Sequence, residues 1–202
     1  METRKIPTVI YAESTPNPHA MKFVANRLLV EDGATVEYIN RAQAKGSPLA
    51  MELFNFPFVS QVFISGNFIS VFKNDMANWN DVALELREFI RDYINEGKEI
   101  IAFFPEQKEG QNEEDATPML HTEPTTEAES RIVELLEEYI RPAVETDGGA
   151  VYFKSYKEGI VTVSLRGACS GCPSSTFTLK AGIEGLLKRM MPEIQEVVAE
   201  SV

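Results

Sequence analysis

One stretch of this chain cannot belong to any core. Residues 105–129 read PEQKEGQNEEDATPMLHTEPTTEAE, rich in Glu, Pro, Thr and Gln and almost free of large apolar side chains. Such a segment buries too little surface to offset the entropy of ordering it. It carries one Lys against eight acidic residues, more than half of the net charge of −12. The expected organisation is therefore two folded parts on a tether. One domain spans residues 1–104, a flexible acidic linker spans 105–127, and a smaller domain spans 128–202. The tether lets one part move relative to the other.

The first part opens with a predicted strand at Thr8–Ala12, a turn at Thr15-Pro16-Asn17-Pro18 and a returning strand at Met21–Val24. Ser47-Pro48 starts a short helix, with Ser as N-cap and Pro at the first position. Val59–Ile64 and Phe68–Phe72 read as strands around Ser65-Gly66-Asn67, where Gly-Asn favours a tight hairpin. Val82, Leu86, Phe89, Ile90 and Tyr93 recur at helical spacing, which predicts a helix over 79–95 with Trp79 packed at its start. Ten of the twelve Phe residues lie before position 105, enough aromatic volume for an independent core.

The second part opens with a helix from about Ala128 to Ile140, whose buried stripe is Ile132, Leu135, Leu136, Tyr139 and Ile140. Pro142 ends its regular pattern. Strands follow at Ala150–Tyr156 and Ile160–Arg166, joined at Glu158-Gly159. A second helix begins at Pro173 and turns Leu179, Ile183, Leu186, Leu187 and Met190 inward. Residues 195–199 make a last strand. The fold class expected is α+β: two small α/β-type domains joined by a flexible acidic linker, the second having two or three strands and two helices.

Charge and hydropathy exclude several roles. No basic footprint exists for nucleic acid, and an acidic chain is repelled by phosphate backbones. No apolar run approaches the roughly 20 residues needed to span a bilayer. The start, Met1-Glu2-Thr3-Arg4-Lys5-Ile6-Pro7, has no apolar signal core and no Arg-rich, acid-poor stretch, which implies a cytoplasmic protein. No paired acids in a recognisable cleft, no His and carboxylate beside a nucleophile and no phosphate-binding glycine loop is visible, so no enzymatic activity is expected.

The chemistry concentrates on Cys169 and Cys172, the two cysteines of the chain. Cysteines three positions apart make a poor structural staple, because closing so small a loop removes little unfolded-state entropy. A zinc site, a redox pair, small core residues and a cluster site all remain open at this spacing. The pair sits between a strand end and a helix start. Helix N–H groups and the macrodipole there favour thiolates, so both thiols are expected to ionise more easily than free cysteine. Ser174, Ser175 and Thr176 are read as helix caps, and Arg166 and Lys180 as solvated charges. His19 is read as a turn residue and His121 as a solvated linker residue, neither as a ligand. A tetrahedral zinc or a [4Fe–4S] cluster wants four protein ligands. The simplest completion is symmetric, with two chains each giving Cys169 and Cys172 around a two-fold axis.

Gly167-Ala168-Cys169-Ser170-Gly171-Cys172-Pro173-Ser174-Ser175, followed by Thr178-Leu179-Lys180 and Gly182-Ile183-Glu184, closely resembles the NifU C-terminal-like (Nfu) domain. Arg141-Pro142 and Asp147-Gly148-Gly149 match that family's start. Thr15-Pro16-Asn17-Pro18, Met21-Lys22-Phe23, Ser47-Pro48-Leu49-Ala50, Val62-Phe63-Ile64 and Trp79 resemble the Nfu N-terminal domain. The resemblance implies an iron–sulfur cluster carrier that takes a cluster from a scaffold or donor protein and passes it to apo iron–sulfur client proteins. It implies a [4Fe–4S] cluster, one per homodimer, on Cys169 and Cys172; [2Fe–2S] uses the same ligand types. Two departures from the family pattern, Ala150 after the double glycine and His19-Ala20-Met21, bear on partner preference and not on the ligands.

Overall fold

The structure, a computed structural model, describes residues 7–31, 33–104, 121–170 and 173–201. The backbone divides into two compact units, one mainly N-terminal and one mainly C-terminal. Most of the expected linker, residues 105–120, lies outside the described residues.

The N-terminal unit is a five-stranded antiparallel sheet in the order β1-β2-β5-β4-β3. Its strands are β1 (Ile10–Ser14), β2 (Ala20–Ala25), β3 (Thr35–Tyr38), β4 (Val59–Ser65) and β5 (Phe68–Lys73). β4 and β5 meet at Gly66-Asn67, as the Gly-Asn signal predicts, with Ser65 opposite Phe68. Helices α1 (Pro48–Leu53) and α2 (Trp79–Asn95) share a core with alternate strand residues. Leu49, Leu53, Leu86 and Ile90 are fully buried in it with Phe23, Tyr38, Val62 and Ile69. The Ser47 side chain caps α1, its Oγ accepting from the Ala50 N–H at 3.1 Å and donating to the Ile100 carbonyl at 2.6 Å. Trp79 packs on this core, and Tyr93 is buried with its hydroxyl donating to the Glu99 carbonyl.

β3 has no counterpart in the sequence reading. Its four residues are too few to show period-two alternation, and Glu37 sits inside it. That carboxylate is buried and accepts from Gln61 Nε2 at 2.6 Å. The hydrogen bond offsets a burial cost that composition alone counts against a strand.

The C-terminal unit places β6 (Gly149–Lys157), β7 (Ile160–Gly167) and β8 (Glu196–Ser201) in that order. β6 and β7 form a hairpin through Glu158 and Gly159, whose φ values of 50° and 82° are those of a two-residue type I′ connection. β8 runs parallel to β7. A parallel pair needs a crossover, and α5 (Pro173–Met190) supplies it.

Alternate residues Val151 and Phe153 of β6 and Val161, Val163 and Leu165 of β7 pack with Ile132, Leu135, Leu136 and Val144 from the first helices. Ile183 and Leu187 of α5 join them fully buried. Met190, expected in this face, is largely exposed, and Met191 and Ile194 fill the core instead, because the helix ends at Met190 and the chain turns inward there.

The first helical segment does not end before Pro142. It runs as α3 (Glu127–Leu135), one π turn (Leu136–Ile140) and α4 (Arg141–Thr146). A prolyl ring in a regular helix clashes with the carbonyl four residues back and lacks the N–H to bond it. Widening the preceding turn relieves this, with the Arg141 N–H bonding the Leu136 carbonyl five residues earlier. Arg141 then ties the two sides together, pairing with Glu137 and with Glu145 at 2.7 Å each.

The unit also begins before residue 128. Thr126 caps α3 in a reciprocal box with Glu129. His121 is not solvated. Its Nδ1 accepts from the Phe153 N–H at 2.9 Å, its Nε2 lies 2.7 Å from Glu137, and its ring meets Tyr152 edge-on. The Thr122 N–H donates to the Phe153 carbonyl. Residues 121–122 thus cover part of the edge of β6, which otherwise exposes unpaired backbone groups.

Candidate functional site

The cysteine loop leaves β7 at Gly167 and ends where α5 begins, inside the β7–α5–β8 crossover. Loops at the carboxyl ends of strands that feed such crossovers are where α/β sheets hold ligands. The Ala168 N–H donates to the Gly148 carbonyl at 3.1 Å. The Ser170 N–H and hydroxyl both donate to the Gly167 carbonyl at 2.9 Å. Thr176 Oγ1 donates to the Cys169 carbonyl at 3.1 Å, so this residue braces the loop from the helix side.

Cys169 is 3% exposed. Its Sγ lies 4.0 Å from the Val144 carbonyl and against the backbone of Gly149. A Cβ on Gly149 would fall 2.5 Å from the Arg166 carbonyl oxygen and 2.7 Å from Cys169 Sγ. The second glycine of Asp147-Gly148-Gly149 is therefore the floor of the thiol's cradle, a role invisible in sequence because the two residues are twenty positions apart.

Burial pushes the Cys169 thiol up to about 12, and the negative charge of Asp147 adds to the shift. For Cys169 this reverses the expectation of an easily ionised thiol. Removal from water disfavours the charged thiolate.

Cys172 lies outside the described residues, as do the side chains of Ser174 and Ser175. Arg166, expected in solvent, is buried, and Lys180 pairs with Glu196 at 3.6 Å. His19 is exposed, 3.9 Å from Asp75. Both ring nitrogens of His121 are engaged, so it offers no lone pair to a metal. Among the described residues no three His, Cys, Asp or Glu side chains gather in a metal-sized group.

Residues 10–97 match the family description "Scaffold protein Nfu/NifU N terminal", and residues 132–198 match "NifU-like domain". The chain is 35% identical over 189 residues to the human "NFU1 iron-sulfur cluster scaffold homolog, mitochondrial", covering 93% of this chain and 70% of that one. This chain belongs to the Nfu family.

Another family member, "NifU-like protein 4, mitochondrial" of Arabidopsis thaliana, is 35% identical over 95% of this chain and 65% of its own length. The Drosophila willistoni "NFU1 iron-sulfur cluster scaffold homolog, mitochondrial" is 36% identical over 93% of this chain and 62% of its own. This Nfu chain thus spans between three fifths and seven tenths of those relatives. The solution structure of a NifU-like protein from Saccharomyces cerevisiae overlaps half of it, at 22% identity and a TM-score of 0.44. The expected cytoplasmic location is overturned, since these Nfu relatives are named mitochondrial. The error came from treating a start without signal features as informative about address.

Proposed function

We propose that this Nfu chain carries an iron–sulfur cluster as cargo on Cys169 and Cys172 and passes it to apo-proteins. The carrying observation is the placement of Cys169 at the end of β7, its Sγ seated against Gly149 and beside the Val144 carbonyl. Thiolate is the donor that iron–sulfur clusters take from proteins. The names of the relatives, scaffold proteins for iron–sulfur clusters, support the same cargo.

Two thiols are half of the usual cluster ligand set. The cargo is a [4Fe–4S] cluster shared by two copies, each giving its pair. The two family matches support a division of labour: the C-terminal unit, from residue 121 on, holds the cluster, residues 1–104 meet donors and clients, and residues 105–120 join them. The chain performs no turnover of its own. It binds, protects and releases.

Anaerobic reconstitution with iron and sulfide tests this. A brown dimer with about four irons per two chains is expected, lost in Cys172→Ala and in Cys169→Ser. The loaded protein should then activate an apo-aconitase-type acceptor. A colourless protein with one zinc per dimer sinks the cluster reading, as does a monomer that only cycles its thiols to a disulfide. An intact cluster that never leaves sinks the carrier role alone.

A further inference from the structure

Arg141-Pro142 stands well away from the cysteines in sequence, and cluster binding by the two thiols does not account for it. Pro142 cannot sit in a regular helix without losing a hydrogen bond to the preceding turn. The π turn at Leu136–Ile140 accommodates it, and α4 beyond that turn is six residues long. A helix so short is not stable alone. Yet both walls of the Cys169 cradle hang on it. The Val144 carbonyl, 4.0 Å from Sγ, belongs to α4 itself. Gly149, whose backbone floors the sulfur, ends the turn that follows α4. That turn is bonded back to the helix, the Asp147 N–H donating to the Ala143 carbonyl and the Gly148 N–H to the Glu145 carbonyl. The Gly148 carbonyl takes the N–H of Ala168, the residue before Cys169.

Arg141 braces the joint between the π turn and α4. Its Nη1 donates to Glu137 Oε2, one turn back, and its Nε to Glu145 Oε1, one turn on, each at 2.7 Å. The side chain is 27% exposed, so these pairs are screened less than fully solvated ones. Glu137 is tied outside the helix as well. Its Oε1 lies 2.7 Å from His121 Nε2, and His121 Nδ1 accepts from the Phe153 N–H of β6. The brace therefore runs from β6 through the π turn into α4 and ends on the residue after Val144.

We propose that Arg141 is a positioning residue for the cluster site, holding α4 so that the Val144 carbonyl and Gly149 stay against the Cys169 sulfur. Arg141 touches no ligand and acts through α4, and this role rests on the cargo reading given to Cys169 above. A guanidinium suits the task because its fork reaches two carboxylates at once, whereas a lysine ammonium is a single point charge. Without the brace α4 frays at the π turn, its carbonyl leaves the sulfur, and Sγ opens to solvent.

The test uses the full chain and reads the sulfur directly. In the apo Cys172→Ala background Cys169 is the remaining thiol, and its alkylation by iodoacetamide at pH 8 reports its exposure. The variants are Arg141→Met, Arg141→Lys and Glu145→Gln, with Arg131→Met as control, which removes an exposed pair with Glu134 on α3. Amide exchange at Ile183 and Leu187, fully buried in α5, reads opening of the whole unit. Expected is alkylation at least about tenfold faster in Arg141→Met and about threefold faster in Arg141→Lys and Glu145→Gln, which keep one arm, each rise exceeding any rise in α5 exchange. Arg131→Met should match wild type. Alkylation that rises only in step with α5 exchange overturns the positioning role, because Arg141 would then merely stabilise the unit. Unchanged alkylation overturns it too. Should Arg141→Met fail to fold by circular dichroism, the two one-arm variants decide by the same criterion. With Cys172 restored and the chain loaded anaerobically, Arg141→Lys should lose iron to a chelator at least about threefold faster than wild type. Iron held as firmly as in wild type overturns the role at the cluster. A wild type that takes up no iron sinks the cargo reading, and the alkylation rates then decide the placement of Cys169 by themselves.

Discussion

Gly149→Ala adds one methyl group, and the structure says where it goes. The new carbon falls 2.5 Å from the Arg166 carbonyl oxygen, 2.7 Å from Cys169 Sγ and 3.0 Å from Cys169 Cβ. Gly149 does not have a positive φ, so alanine is allowed there conformationally and the cost is steric alone. Overpacking costs about 1–3 kcal/mol. The oxygen belongs to the backbone of β7 and cannot rotate away, which puts this case near 3 kcal/mol. Amides of β6 and β7 should then exchange with solvent about a hundredfold faster, at 1.4 kcal/mol per factor of ten. Hydrogen exchange of the apo chain reads this directly. Fluorescence of Trp79, in the N-terminal unit, should not move. Gly182→Ala is the internal contrast, because its Cβ meets open space and should stabilise the apo chain by about 0.5–1 kcal/mol. If the two substitutions changed protection in the same direction and by similar amounts, the cradle described for Cys169 would be wrong.

Other outcomes follow from single contacts. Thr126→Ala removes half of the reciprocal cap on α3 and should cost about 1 kcal/mol, measured by denaturant unfolding. Burial alone would raise the Glu137 carboxyl, but hydrogen bonds from His121 and Arg141 outweigh it and hold it below the usual value. Its contribution to stability is therefore complete above about pH 4.3 and lost as pH falls through the lower folded value. Glu137→Gln should flatten the acid limb of the C-terminal unit's stability profile; an unchanged limb refutes the pairing. In apo Cys172→Ala, iodoacetamide at pH 8 should modify Cys169 at least about tenfold more slowly than a free thiol, because the sulfur is buried. Equal rates would contradict that burial.

Much of this fold is legible along the chain. The helix at 79–95, the Ser47 cap, the hairpins at Gly66-Asn67 and Glu158-Gly159 and the strands around them all follow from periodicity and turn chemistry. Those signals are local, made by residues a few positions apart. β3 was not legible, because four residues with a buried Glu37 give no pattern until Gln61 arrives from β4. The helix beyond Pro142 was not legible either, because the ring's clash is answered by a π turn and by Arg141 bridging it. His121 looked like linker because its partners, Phe153 and Glu137, are 32 and 16 positions away.

By itself the sequence determined the α+β class, the acidic stretch and the three-position spacing of the two cysteines, since periodicity, composition and short-range pattern settle those. The tertiary structure decided the environment of the Cys169 sulfur. Whether that thiol is exposed or sunk, and whether alanine could replace Gly149, depends on a strand, a helix carbonyl and a loop meeting within a few ångströms. The physical reason is that a thiol's protonation and reach are set by the atoms packed around it, and those atoms are neighbours in space and not in the chain.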